Sequence, residues 1–290
     1  MAKTAWVFPG QGSQAVGMGA DLADVCSEKL AQAREILGWS VLEICQSEEK
    51  LTSTIYTQPS LYVIESALSD LLRAKGQQPD VVAGHSLGEY SALYTAGVFD
   101  FASGLRLVKR RAELMSMASS GAMAALMGFK RDQLEAKIAE TEGVVLANDN
   151  NPIQVVISGT PAAVETVMTE VKSKRAVKLN VGGAFHSPLM AEAAEEFESV
   201  LAEVDFRDAS VPVMSNVEPS PETSAKALKE RLTQQITGAV RWREISLSLP
   251  EQGIESVVEI GPGKVLTGLI KRTCKGLSLR NVSSAEMVEE

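Results

Sequence analysis

Residues 80–97, DVVAGHSLGEYSALYTAG, set an apolar run, a G-x-S-x-G pentapeptide (Gly84 to Gly88) and a helix-like segment stopped by Gly97 in immediate succession. A strand that turns sharply into a helix at a serine leaves few folds open. The glycines are needed because larger side chains clash in such a turn. The helix that follows aims its free N–H groups at the serine, where they stabilise developing negative charge. The same letters also occur in ordinary glycine turns, so the strand–turn–helix context is what makes Ser86 a candidate nucleophile.

The rest of the chain repeats the alternation of strand and helix, which argues a mostly parallel sheet in an α/β fold. TAWVF (4–8) is a short strand ended by Pro9-Gly10. Helical periodicity runs over 27–37, over 59–74 with Pro59 near its first turn, and over 101–117. Residues 121–182 differ. The strands AMAALMGF, VVLAN, QVVISG and AVKLNV alternate with helices at 131–141 and 161–173. That is the β-α-β-β-α-β order of a small ferredoxin-like unit. Beyond it come a helix at 187–202, a strand at 211–217, a helix at 224–236, a strand at 256–261 and a last helix from about 264, and the polar tail from Ser283 is expected to fray. At 290 residues the chain is long for one core and short for two independent domains. The expected organisation is a larger unit, 1–120 with 186–290, interrupted by a subdomain at 121–185.

Composition narrows the function. Hydrophobic residues at 45% and charged residues at 22% suit a soluble globular protein. No apolar run approaches the roughly 18 residues of a membrane span, and MAKTAWVFPGQG reads as a first strand rather than a signal peptide. Three widely spaced cysteines fit a reducing cytoplasm and neither a disulfide framework nor a zinc site, so no metal is expected. A net charge of −9 argues against general affinity for nucleic acid or anionic lipid.

A serine hydroxyl needs a base. The chain has two histidines. His85 is adjacent to Ser86 and should point away from its hydroxyl, which leaves His186, in GGAFHSPLM, as the candidate partner; a lone histidine is also commonly structural. Arg111 raises a second question. On a wheel of about 100° per residue from Leu105, Arg106, Lys109, Arg110 and Glu113 share one arc, whereas Arg111 lands near 240°, among Leu107, Val108, Leu114 and Met115. A guanidinium there needs an anion. Either a buried acid supplies it, or a substrate carboxylate does. Finally, Gly10-x-Gly12-x-x-Ala15 formally matches a dinucleotide fingerprint, but Pro9 sits inside the turn and no second strand ending in an acid follows. The loop can instead carry Gln11 to an active site, its amide donating to an oxyanion.

Taken together, FPGQGSQ, GHSLGEYSAL, RLVKRRAELM, GAFHSPLM and EIGPGKVLTGL resemble the malonyl-CoA:acyl carrier protein transacylases of fatty acid synthesis and the free-standing acyltransferases of polyketide synthesis. Five separated motifs fall in order between about residue 4 and about residue 275. The resemblance implies an α/β-hydrolase-like large domain with a ferredoxin-like insert. It implies Ser86 as nucleophile, His186 as base held by the backbone carbonyl of Gln235, and an oxyanion hole built from Leu87 N–H and a donor of Gln11. It assigns Arg111 to the free carboxylate of malonyl, and Met115, Phe185 and Gln58 to the acyl pocket. Where the family often has glycine after the arginine, this chain has Ala112; the bulky Phe185 favours malonyl over methylmalonyl.

The reaction so implied is ping-pong malonyl transfer from coenzyme A to the phosphopantetheine thiol of an acyl carrier protein, by a monomer, with no metal or redox cofactor. An acidic carrier would dock at a basic patch by the active-site mouth, for which Lys271, Arg272 and Lys275 are candidates; a solvated helix face explains them equally. Two other readings compete. A hydrolase clearing acyl groups from carrier proteins would keep Ser86 and His186 but have little need of Arg111. The other is a non-catalytic docking module for carrier proteins, against which the intact set of Ser86, His186 and Gln11 argues. The motifs do not separate the fatty acid from the polyketide pathway.

Overall fold

The structure, a computed structural model, describes residues 2–118 and 121–289. Its strands are β1 (Lys3–Phe8), β2 (Val81–Gly84), β3 (Ala122–Met127), β4 (Val144–Asn151), β5 (Gln154–Gly159), β6 (Arg175–Lys178), β7 (Val213–Met214), β8 (Ile254–Ile260) and β9 (Ser278–Val282). Five of them make a sheet in the order β7-β2-β1-β8-β9, every pair parallel. The other four make an antiparallel sheet in the order β4-β5-β3-β6.

The parallel sheet is covered on both faces, which explains why its strands read as continuous apolar runs. Side chains of β1 alternate between the two cores. Trp6 and Phe8 join a large cluster with Leu61, Ile64 and Leu105, whereas Ala5 and Val7 face Trp242, Ile245 and Ile270. The helices Arg131–Glu140 and Pro161–Glu170 close one face of the small sheet around Leu126, Leu134, Val155 and Val164. The two sheets are joined through Val240, whose N–H donates to Ala147 (2.8 Å) and whose carbonyl accepts from Asp149 N–H (2.9 Å). The Asp149 carboxylate then pairs with Arg131 on the small unit and with Arg243 on the Trp242–Glu251 helix, each at 2.8 Å.

Several sequence expectations change. The second helix begins at Thr54, not near Pro59, and runs to Ala74. Ser53 takes the extended N-cap conformation, and Pro59 lies beyond the first turn, where its missing N–H forfeits one bond to the helix ladder. Strand 211–217 shrinks to Val213–Met214, because Ser215 and Asn216 turn their polar groups into the interior. The tail does not fray: β9 pairs with β8, Val288 is buried in the large core, and Lys75 bridges to Glu289 at 2.7 Å. The helix 187–202 starts as a 3-10 turn, Pro188–Met190, before Ala191–Ala202. The boundary expected after residue 120 falls on residues 119 and 120, outside the described chain.

The turn at Ser86 is held by backbone contact on three sides. A methyl group on Gly84 would overlap the Gly88 carbonyl, one on Gly88 would overlap the Phe8 carbonyl, and one on Gly10 would overlap the His85 carbonyl. None of these neighbours is a flexible side-chain tip. Gly88→Ala is therefore expected to cost about 3 kcal/mol, since overpacking against backbone cannot relax by rotamer change. Thermal unfolding checks it: the melting temperature should fall by roughly 6–12 °C. An unchanged Tm would mean that β1 and the turn are looser than their contacts imply.

Candidate active site

Ser86 sits between β2 and the Gly88–Thr95 helix, at the carboxyl edge of the parallel sheet. It has φ +52°, and His186 has φ +57°; they are the only non-glycine residues with positive φ among the described residues. Each such conformation costs on the order of 1–3 kcal/mol and persists only where surroundings impose it. At Ser86 the clamp is visible. Asn216 Oδ1 accepts from its N–H (2.7 Å), Gln235 Nε2 donates to its carbonyl (2.9 Å), and Asn216 Nδ2 donates to Gly84 O. His186 is tied by its N–H to the Ile236 carbonyl (3.1 Å), just past the Ala225–Gln235 helix.

The two strained residues meet. Ser86 Oγ lies 2.8 Å from His186 Nε2. His186 Nδ1 faces the carbonyl oxygens of Gln235 (2.9 Å) and Gly238 (3.1 Å). Carbonyls only accept, so Nδ1 carries the proton and Nε2 offers its lone pair to the serine hydroxyl. His186 is buried, and burial together with the nearby Arg111 cation pushes its pKa down from 6.5 to about 3. The imidazole is thus neutral in the resting site. His85 points elsewhere, its Nε2 2.8 Å from Asn150 Oδ1 on β4.

Arg111 is wholly buried, on the face of the Phe101–Met117 helix where the wheel places it. Its Nη1 donates to Gln58 Oε1 (2.7 Å), and its Nη2 donates to Gln235 Oε1 (3.1 Å) and to Ser86 Oγ (3.0 Å). Tyr90 lies under the guanidinium, 5.4 Å from ring centroid to Cζ. Among the described residues no acid pairs with it, and its Nε has no partner. All its bonded partners are neutral. Of the two options left open by the sequence, the buried acid is present only at one remove: Glu89 meets Arg111 through the Gln235 amide and makes no direct pair with it.

Gln11, Leu87, Gln58, Met115 and Phe185 border the same cleft as Ser86, His186 and Arg111. Its cavity volume is about 100 Å³, room for a small acyl group beside Ser86. Gln58 Nε2 reaches Met115 Sδ at 3.4 Å. The Gln11 side-chain amide, a candidate oxyanion donor, is instead engaged with Thr54 Oγ1 (3.2 Å). The main-chain N–H groups of Gln11 and Leu87 donate to no acceptor among the described residues. The Gly10 backbone, one residue before Gln11, packs against the His85–Leu87 turn beside the Leu87 nitrogen.

Sequence reasoning missed one wall of the cleft. Met123, Asn148, Leu179 and Val181 close the cleft from the small unit. It also missed Asn216 and Glu89, whose importance lies in tertiary bonds that no spacing announces. The basic patch needs correction. The Val265–Thr273 helix starts after the carboxyl end of β8 and runs back antiparallel to it, and the chain re-enters the sheet with Ser278 opposite Ser256, near the start of β8. Lys271, Arg272 and Lys275 therefore lie toward the amino edge of the sheet, the edge opposite Ser86, because a crossover helix must return to where the next parallel strand begins.

The profile described as "Acyl transferase domain" matches residues 5–290. A malonyl CoA-acyl carrier protein transacylase of Synechocystis sp. is 60% identical over 287 residues, covering 98% of each chain. The chain belongs to the malonyl-CoA:acyl carrier protein transacylase family. Within this transacylase family, the crystal structure of the Synechocystis sp. PCC 6803 enzyme superposes with a TM-score of 0.97 at 59% identity, covering 99% of both chains. The polyketide biosynthesis transacylase PksC of Bacillus subtilis is 45% identical over 93% of this chain and 96% of its own. A malonyl-transacylase solved with a type II polyketide synthase acyl-carrier protein matches with a TM-score of 0.93 at 38% identity, covering 99% of this chain and 98% of that one. The transacylase fold is thus an α/β fold with a mostly parallel sheet and a small antiparallel one.

Proposed function

We propose that the chain transfers malonyl from coenzyme A to the phosphopantetheine thiol of an acyl carrier protein through a malonyl-Ser86 ester. The observation that carries this is Arg111: a buried cation with neutral partners only, donating to the nucleophilic oxygen itself. Such a cation is costly unless the ligand brings the anion. An acyl group bearing its own carboxylate fits it.

In the first half-reaction His186 Nε2 takes the Ser86 proton as Oγ attacks the thioester carbonyl. The oxyanion accepts from the Leu87 main-chain N–H at the start of the Gly88–Thr95 helix and from the Gln11 main-chain N–H in the loop after β1. Collapse breaks the C–S bond, and the departing coenzyme A thiolate takes the proton back from the imidazolium. The carrier thiol then gives its proton to His186 and attacks the ester; Ser86 Oγ leaves and is reprotonated. The Gln235 and Gly238 carbonyls orient the ring throughout. Met115, Gln58 and Phe185 fill the space beside the malonyl group. No metal or redox cofactor is needed.

This reading treats residues 1–120 and 186–290 as an α/β-hydrolase-like catalytic unit and 121–185 as a ferredoxin-like subdomain. The order β4-β5-β3-β6 and the two helices on one face support the second label. The reading takes the chain to work in the cytoplasm as a monomer; no described helix is long and apolar enough to cross a membrane. The test is a transfer assay with labelled malonyl-CoA and a holo-carrier protein. Label is expected to pass through the chain to the carrier thiol. Release as free malonate, with none on the carrier, would indicate the hydrolase instead.

The low His186 pKa gives a pH prediction. kcat/KM reports the free enzyme's base, so it is expected to stay level as pH falls through 6.5 and to decline only below about pH 4.5, where the malonyl carboxylate itself begins to protonate. An acid limb centred at 6 or above would contradict the buried, neutral imidazole. The same shift lowers stability in acid: the unfolded imidazole binds a proton below about 6.5 while the folded one resists until about 3, so this contribution is lost across that window.

A further inference from the structure

Glu89 is fully buried in the first turn of the Gly88–Thr95 helix, where nothing above gives it a role. Its Oε2 accepts from Gln235 Nε2 (2.8 Å) and from Asn216 N–H (3.0 Å). Those two residues hold both ends of the Ser86 peptide unit: Asn216 Oδ1 takes the N–H and Gln235 Nε2 takes the carbonyl. Gln235 Oε1 in turn accepts from Arg111. The Gln235 amide has two orientations of nearly equal shape. A carboxylate can only accept, so it requires the NH2 end toward Glu89 and Ser86 O and the oxygen end toward Arg111. With the amide reversed, NH2 would face the guanidinium, two donors in contact, and the oxygen would face a carboxylate.

We infer that Glu89 is a positioning residue that sets the Gln235 amide and, through it, aims Arg111 at the substrate carboxylate beside Ser86. This rests on the malonyl-transfer reading above. Burial raises the Glu89 pKa, and the Gln235 and Asn216 donors, with the Arg111 cation, oppose that rise. Glu89 touches neither the cleft nor any reacting atom, so its hydrogen bonds reach the site only through Gln235 and Asn216, beside a through-space attraction to Arg111.

The experiment measures self-acylation of the full chain by malonyl-CoA and by acetyl-CoA, in wild type, Glu89→Gln, Gln235→Met and the double variant. Gln235→Met keeps the main-chain carbonyl that orients His186. Glu89→Gln removes the strongest of the three groups that hold the 235 amide and leaves the Ser86 carbonyl and Arg111 to hold it alone. Its malonyl rate is expected to fall roughly 10- to 50-fold, and its acetyl rate by no more than about threefold. The double variant should show the malonyl-to-acetyl ratio of Gln235→Met alone, because the amide through which Glu89 acts is gone. Equal losses with both acyl groups would reduce Glu89 to a structural acid and overturn the inference. So would a gain in malonyl rate, which would mark Glu89 as a charge competing with the substrate, or additive effects in the double variant. If Glu89→Gln does not fold, Gln235→Met must itself lose malonyl preference, and retention of that preference overturns the relay. A wild-type chain that takes up no malonyl refutes the functional reading instead, so the two failures are distinguishable.

Discussion

Ser86→Ala incubated with labelled malonyl-CoA is expected to acquire no acyl group, and transfer to the carrier should fall by roughly 10⁴–10⁶-fold, the scale on which removing an activated serine acts. The change removes one oxygen from a residue whose backbone is clamped by Asn216 and Gln235, so the fold should stay intact. Digestion of labelled wild type should place the adduct on the peptide containing GHSLGEYSAL. A Ser86→Ala chain that labels as well as wild type would exclude Ser86, strained geometry notwithstanding. The His186 partner sharpens the case, because its Nε2 has the serine hydroxyl within 2.8 Å and its Nδ1 is committed to carbonyls.

Arg111→Ala is expected to reduce kcat/KM for malonyl-CoA by roughly 150- to 1000-fold, or about 3–4 kcal/mol, the loss of a buried charge-assisted pair. The effect on acetyl-CoA should stay within about tenfold, since the neutral acyl group lacks the anion. Malonyl selectivity would thereby collapse while Ser86 still acylates. Selectivity left unchanged would mean that Arg111 serves the fold and that another group reads the carboxylate. Lysine would not restore it: Gln58, Gln235 and Ser86 are met by three separate N–H donors of one planar fork, which an ammonium cannot reproduce.

What could be read beforehand depended on how local the physics was. The turn at Ser86 was legible because its glycines answer to neighbours a few residues away or on the adjacent strand. Arg111 was legible because helical periodicity is local, and the wheel put it on the apolar face where the structure buries it. His186 stood out because only two histidines exist. The Glu89–Gln235–Asn216 lattice was not legible, since a glutamate or an amide looks the same in a sequence whether solvated or buried 146 residues from its partner. β9 escaped notice because SLRNV is short and half polar, as an edge strand can be. The basic patch was misplaced because charge can be counted along a chain but the end of the sheet it reaches cannot.

The Arg111 cation lies close enough to His186 to weaken it as a base, second only to burial itself. A carboxylate arriving on Arg111 cancels that charge, so the base strengthens in the presence of a malonyl group and not of a neutral one. The charge of the guest thereby bears on the strength of the base as well as on the fit of the acyl group. The carboxylate stays in place on the acylated serine, so the base remains armed for the second thiol. A neutral acyl-CoA leaves the Arg111 charge uncompensated and so faces the weaker base.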